Sequence, residues 1–212
     1  MSVGSTALPL AVFPPVHWWI QAFDEHTFID LDRAYQKQTL RNRFTILTSN
    51  GAQSLSIPVT STGGQPTPLH AIQMAEGKWR YEHLHAIRSA YGRAAYFEHF
   101  YPQLEQLYHA PLVYLHEFAT SSLQLLRSQL IKKNTPLNFI KPAAIHLDEL
   151  QSRLLSATLE PSYAGIQEPG YPQVFSDRFA FQHNLSYIDL MMNKGPEAID
   201  YILFIKNGYT PV

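Results

Sequence analysis

The side chains able to do chemistry are gathered in a few short stretches. Tyr35, Lys37, Gln38, Arg41, Asn42 and Arg43 form a dense polar run, with Arg33 just ahead of it. Guanidinium groups hold carboxylates and phosphates through paired hydrogen bonds. The run reads either as an anion clamp for a phosphate, nucleotide or acidic sugar, or as a solvated polar loop between strands. Two other residues suit proton transfer. His83 shares a four-residue spacing with Trp79, Ile87 and Tyr91, which puts it near one helix face. It reads as a base or as a residue of the core. Asp189 lies inside the apolar stretch Leu185–Met192. Burial there raises a carboxyl pKa and suits a general base. An ion pair with Arg41 or Arg43 is the structural alternative.

Several chemistries find no support. His70, His83 and His85 make no HExxH pattern, and no other spacing points to a metal. The absence of cysteine excludes disulfides, thiolate nucleophiles and cysteine-based zinc sites. Neither GxGxxG, GxxxxGK[ST] nor GxSxG occurs, so the common phosphate loops and the hydrolase elbow are missing.

These residues need elements to position them. Phe44 and Ile46 on one side of Asn50-Gly51, and Leu55, Ile57 and Val59 on the other, predict a β-hairpin. Leu8–Phe13 and Phe28–Leu31 predict two strands joined by a short helix at His17–Phe23. That order suggests a parallel pair. Ser61–Pro68 reads as a loop and Leu69–Met74 as a further strand. Helices are predicted over Trp79–Tyr91, Ala94–Tyr108 (with a break at Pro102 an open question) and Leu112–Lys133, the last starting near Pro111 and stopping at Asn134 and Pro136. Ala144–Leu159 is a shorter helix, and Glu160–Gln173 a proline-rich loop. Another helix follows Asn184 or Ser186 as its cap, and the last begins at Pro196 and runs to about Ile205.

The expected fold is α/β or α+β in a single domain, residues 1–212. It has a mixed sheet of about five strands from the N-terminal third, hairpin included, packed with a mostly helical C-terminal two-thirds. The length of 212 residues suits one domain. The formal net charge of -1, with 16% charged residues, gives no global field for nucleic acid or an anionic membrane. The first residues carry neither a basic start nor an unbroken apolar run, so a cytoplasmic protein without a membrane segment is expected.

Six stretches occur in a familiar order: VFPPVHWW, YQKQTLRNRFTI, NGAQSLSIPV, WRYEHLHAIRSAYGRAAYFEHF, GYPQVF and NLSYIDLMMNKGPEA. Together they resemble the WbqC-like family of bacterial proteins over nearly the whole chain. The chain departs at Ala94-Ala95, where the family has Ser-Pro or Ala-Pro, and at Met191-Met192, where it prefers Leu-Phe. The resemblance implies a part in surface polysaccharide (O-antigen) production, with transfer of an acyl or aminoacyl group, glycine, to a sugar. It implies no established catalytic residues and no named cofactor.

It also implies that Tyr35, Lys37, Gln38, Arg41, Asn42, Arg43, Trp79, His83, Tyr91, Gln173, Asn184, Asp189 and Asn193 converge on one site. In a transferase, Lys37, Arg41 and Arg43 would oppose the charge of a phosphate or oxyanion. His83 or Asp189 would take a proton, and Tyr35, Trp79 and Tyr91 would wall a sugar or nucleotide-sugar. In the alternative, a non-catalytic binding or scaffold protein of envelope biosynthesis, the same residues would form a buried polar network. These residues lining an open cleft would favour the first; the same residues sealed and mutually hydrogen-bonded would favour the second.

Overall fold

The structure is a computed structural model, and it describes residues 6–23, 27–30, 34–61, 63–130, 139–140 and 168–208. Among the described residues, two sheets carry the strands. The first joins β1 (Thr6–Pro9), β2 (Thr27–Asp30) and β5 (Phe139–Ile140) in the order β1-β2-β5, with both pairings parallel. A parallel pair needs a crossover. Helix α1 (Val16–Ala22) supplies it between β1 and β2. The second sheet is the hairpin of β3 (Arg43–Thr48) and β4 (Gly51–Ser56).

The α/β character expected from the sequence is present. Parallel and antiparallel strands lie in separate sheets, however, rather than in one mixed sheet. The third parallel strand also comes from beyond the N-terminal third. In the hairpin, Phe44 faces Leu55 across the ladder, and both are buried together with Ile46 and Ile57. Thr48 pairs with Gly51, so Ser49 and Asn50 form the turn. The positive φ, +99°, falls on Gly51 alone.

The first strand stops at Pro9, short of the expected Phe13. Val12 instead donates its N–H to the Leu40 carbonyl at 2.9 Å. Phe13 takes a left-handed backbone with φ +41°, unusual for a bulky residue. Two long-range hydrogen bonds hold it there. Its N–H donates to Ser122 Oγ at 3.1 Å, and its carbonyl accepts the Ser186 hydroxyl at 2.8 Å. The Phe13 ring then meets Phe44, Tyr108, Phe118 and Tyr187 at the centre of the core.

Leu69–Met74 is not a strand. Leu69–Ala71 forms a 3-10 turn, and Gln73 and Met74 each make one isolated bridge, to Tyr114 and Val59. Those bridges also explain why α4 (Leu115–Leu130) starts later than Leu112. The Val113 carbonyl accepts the Met74 N–H, and the Leu115 N–H donates to Ile72, both at 2.9 Å, so this segment is extended.

Helix α2 (Trp79–Tyr91) forms over the predicted range; α3 (Phe97–His109) starts at Phe97 rather than Ala94 and runs through Pro102 without a break. Their buried residues follow helical spacing, Trp79, His83, Ile87 and Tyr91 in α2 and Phe97, Phe100, Tyr101, Leu104 in α3. Ser186 rather than Asn184 caps α5 (Tyr187–Lys194), its Oγ accepting the Ile188 N–H at 3.3 Å. Gly195 and Pro196 open a 3-10 turn that leads into α6 (Ala198–Gly208). The predicted helix at Ala144–Leu159, and Arg33, Lys132, Lys133, Asn134 and Pro136, lie outside the described residues.

Candidate functional site

Asp189 sits in the first turn of α5 and is fully buried. Its Oδ2 accepts the Tyr171 hydroxyl at 2.6 Å and the Gln173 Nε2 at 3.1 Å. Asn193, one turn on, donates to the Asp189 main-chain carbonyl at 2.8 Å. The Tyr91 hydroxyl also bears on the carboxylate and accepts the Leu47 N–H at 3.1 Å. Burial pushes the Asp189 carboxyl above the usual carboxylate range, against the pull of these donors. The partners are neutral side chains, where an arginine was the expected structural partner.

Gln173 reaches further. Its Nε2 also donates to the Gln182 carbonyl at 2.9 Å, and its Oε1 accepts the Gln182 N–H at 2.9 Å. Two residues along, Asn184 adopts φ +53°. Its N–H donates to Glu168 Oε2 at 2.9 Å, and its Oδ1 accepts the His17 N–H at 3.2 Å. Glu168 is buried, and burial raises its carboxyl despite the donors from Asn184 and His183. Glu168 Oε2 stands 3.3 Å from His183 Nδ1 and 3.7 Å from His17 Nε2. His17 is held neutral, its pKa lowered to about 4 by burial and then by His183.

His83 belongs to a different group. Only 4% of it is exposed. Its Nδ1 lies 3.1 Å from the Tyr108 hydroxyl, and its ring meets Trp79 and Phe44 edge-on. Burial lowers its pKa to about 4, and a bond to the Ser56 main chain opposes this only in part. Arg80 lies over the Trp79 ring at 4.7 Å and donates to the carbonyls of Tyr108 and Leu112, each at 2.8 Å. This is a bonded aromatic core that leaves His83 almost no exposed surface.

The arginine run forms a third group. Arg41 is 1% exposed, with Nη1 donating to Gln36 Oε1 at 3.1 Å and Thr39 Oγ1 at 3.4 Å. Asn42 and Ile57 exchange two bonds, Asn42 Nδ2 to the Ile57 carbonyl at 3.0 Å and Ile57 N–H to the Asn42 carbonyl at 2.8 Å. Arg43 Nε donates to Ser56 Oγ at 3.0 Å. Lys37 and Gln38 point to solvent, and Tyr35 is half-buried beside Arg41 and Arg43. Ser56 therefore joins the second and third groups, bonding Arg43 through its side chain and His83 through its main chain.

The structure thus brings Tyr91, Gln173, Asn184, Asp189 and Asn193 together. Trp79 and His83 stand apart from them, and the run from Tyr35 to Arg43 forms its own loop. Tyr171, Glu168 and His183 were not among the residues singled out from the sequence. The available signal was the adjacency of His183 to Asn184, and the place of Glu168 and Tyr171 in the proline-rich loop that ends at Gln173.

An open cleft of about 460 Å³ was also not foreseen. It lies between the hairpin end, with Asn50 and Gln53, and the outer face of α2, with Tyr81, Glu82, His85 and Ser89. Tyr81 is 71% exposed. The volume falls in the range of small-molecule sites, which is about 300–1,000 Å³. Among the described residues, no group of three His, Asp or Glu is placed to hold a metal ion, and no helix is long and apolar enough to cross a membrane.

No curated protein and no solved structure matches the chain. The model of the WbqC-like protein family matches residues 12–156 and 143–201, which take in the Asp189 network, the His83 core, the arginine run and the cleft. The chain belongs to the WbqC-like protein family.

Proposed function

We propose that this chain transfers an acyl or aminoacyl group, glycyl by the family resemblance, to a sugar used in bacterial surface polysaccharide (O-antigen). The observation that carries the reading is the cleft between β4 and α2. It joins an exposed aromatic face, Tyr81, with a carboxylate, an imidazole and amide groups at Glu82, His85, Asn50 and Gln53. Flat aromatic faces and directional polar groups suit a hydroxylated ring, and the cleft is large enough for one. Asp189 and His83 then serve to hold the fold, since both are sealed from solvent. Arg41, also sealed, belongs with them.

The sealed, mutually bonded state of Asp189, Tyr171 and Gln173 favours a second reading, a non-catalytic binding protein of envelope biosynthesis. One experiment separates the two. The full chain is incubated with activated amino acids and nucleotide-sugars, and transfer is followed by mass spectrometry beside ligand binding by calorimetry. Transfer that Tyr81→Ala weakens supports the proposal. Binding without transfer supports the second reading. Neither binding nor transfer overturns both.

A further inference from the structure

Two neighbouring rows of α2 side chains wall the cleft beside the hairpin. Tyr81, His85 and Ser89 form one row, and Glu82, Ala86 and Ala90 the next. Strand β3 runs alongside α2 in the same direction. The Phe44 ring meets His83 at 5.6 Å, and the Leu47 N–H donates to the Tyr91 hydroxyl at 3.1 Å. The hairpin turn therefore lies beside the C-terminal end of α2, and Glu82 lies at the opposite end of the cleft. At 1.5 Å of rise per residue, Glu82 to Ala90 spans about 12 Å.

The two ends differ in charge. Glu82 is the one carboxylate of the lining, and no lysine or arginine is among the lining residues. At the turn end, the Thr48 hydroxyl is already engaged, donating to the Gly51 carbonyl at 2.9 Å and accepting the Asn50 N–H at 3.2 Å. Arg178 stands outside the lining and donates to the Ser49 carbonyl at 3.2 Å. Among the described residues, Lys78, one turn before Glu82, makes no ion pair with it. Nor do the side chains of Asn50, Gln53, Glu82 and His85 have a hydrogen-bond partner there. Their polar groups are left for a ligand.

A carboxylate in a cleft lined by no cation attracts positive charge and repels negative charge. The exposed Tyr81 ring adds a face that also favours a cation. An acidic sugar or a sugar phosphate would meet Glu82 with no counter-charge in the lining. A protonated amine on the sugar would instead pair with Glu82, with the Asn50 and Gln53 amides left for hydroxyl groups.

We propose that the cleft selects a sugar bearing an amine, and that Glu82 sets this specificity. The selectivity rests on the reading of the cleft as the sugar site of an acyl transferase. It narrows the substrate of that site from any sugar to a cationic one.

The test titrates the ¹⁵N-labelled full chain with the methyl glycosides of glucosamine, glucose and glucuronic acid, at a pH that keeps the amine protonated. Backbone amide shifts are expected at Asn50, Gln53, Ala86 and Ser89. The glucosaminide is expected to bind about two- to fivefold tighter than the glucoside, the range of an exposed ion pair, and the glucuronide weaker than the glucoside by a similar factor. Glu82→Gln, a change on an exposed helix face that leaves the fold intact, is expected to bring all three within about twofold. A glucuronide that binds as well as the glucosaminide, or a preference that Glu82→Gln retains, overturns the selectivity and leaves the acyl-transfer reading standing. The expected order in a chain that transfers nothing supports the selectivity and overturns the acyl-transfer reading. Shifts away from the cleft, or no binding of any of the three, overturn the selectivity and the sugar site with it.

Discussion

Gln173 and Gln182 exchange two hydrogen bonds, each 2.9 Å long, between the side-chain amide of one and the main-chain amide groups of the other. The same Gln173 Nε2 donates to Asp189. One side chain thus ties a loop to a helix. Gln173→Ala removes all three bonds and leaves a buried carboxylate short of a donor. The expected loss is about 1–3 kcal/mol, measured as the urea midpoint at constant slope. Gln38→Ala, on the exposed loop, is expected within about 0.5 kcal/mol of wild type. Equal effects for both would mean that the clamp does not form.

The Tyr171 hydroxyl stands 2.6 Å from Asp189 Oδ2. Hydrogen bonds to charged groups are stronger than neutral ones. Tyr171→Phe is expected to cost about 1.5–3 kcal/mol in the wild type and clearly less in an Asp189→Asn background. A double-mutant cycle measures the difference. Additive effects would show that the two side chains do not interact.

Gly195 has φ +56°, and a Cβ there would run into the Tyr96 ring. Gly195→Ala therefore meets two costs, a left-handed backbone and an overlap. Together they are expected to destabilise by about 2–4 kcal/mol. Tyr96→Ala in the same chain should relieve the overlap and leave the backbone cost. Thermal unfolding of the single and double variants reads this, and an unchanged Tm for Gly195→Ala would refute it.

Acid should weaken the fold through two histidines. His17 and His83 are both lowered to about 4, from an ordinary value of 6.5. As pH falls from 6.5 towards 4, the unfolded chain binds these protons and the folded chain does not. Stability is therefore lost across that window, by up to about 1.4 kcal/mol per pH unit for each histidine. Asp189 and Glu168 act in the opposite sense. Their raised carboxyls favour the folded state at low pH, and this contribution is lost as pH rises through their folded values. They oppose the histidines and flatten the slope. Urea midpoints at several pH values test this. His83→Gln should show a shallower fall than the wild type, and an identical slope would mean that His83 is not kept neutral by the fold.

How much of this was legible in the sequence varies by element. The hairpin was legible because Phe44, Ile46, Leu55 and Ile57 alternate and Gly51 supplies the one positive φ the turn requires. The parallel pair followed from strand, short helix, strand. The apolar neighbours of Asp189 announced its burial. Leu69–Met74 misled because its partners, Val59 and Tyr114, are remote and each contributes a single bridge. Phe13 turns out of its strand for the same kind of reason, as Ser122 and Ser186 set its backbone from far along the chain. Glu168 and Tyr171 lie in irregular backbone, where no periodicity marks a buried face. The cleft joins the turn end of a hairpin to the polar face of a helix, a pairing that neither segment displays alone.

The central claim is that the buried network around Asp189 holds the backbone on either side of His183. Amide hydrogen exchange at Gln182 and Asn184 measures this most directly, since each N–H donates into the network, to Gln173 and to Glu168. Slow exchange at both amides in the wild type, with faster exchange at Gln182 in Gln173→Ala and at Asn184 in Glu168→Ala, is the predicted result. Fast exchange at both amides in the wild type, or rates that these substitutions leave unchanged, would contradict it.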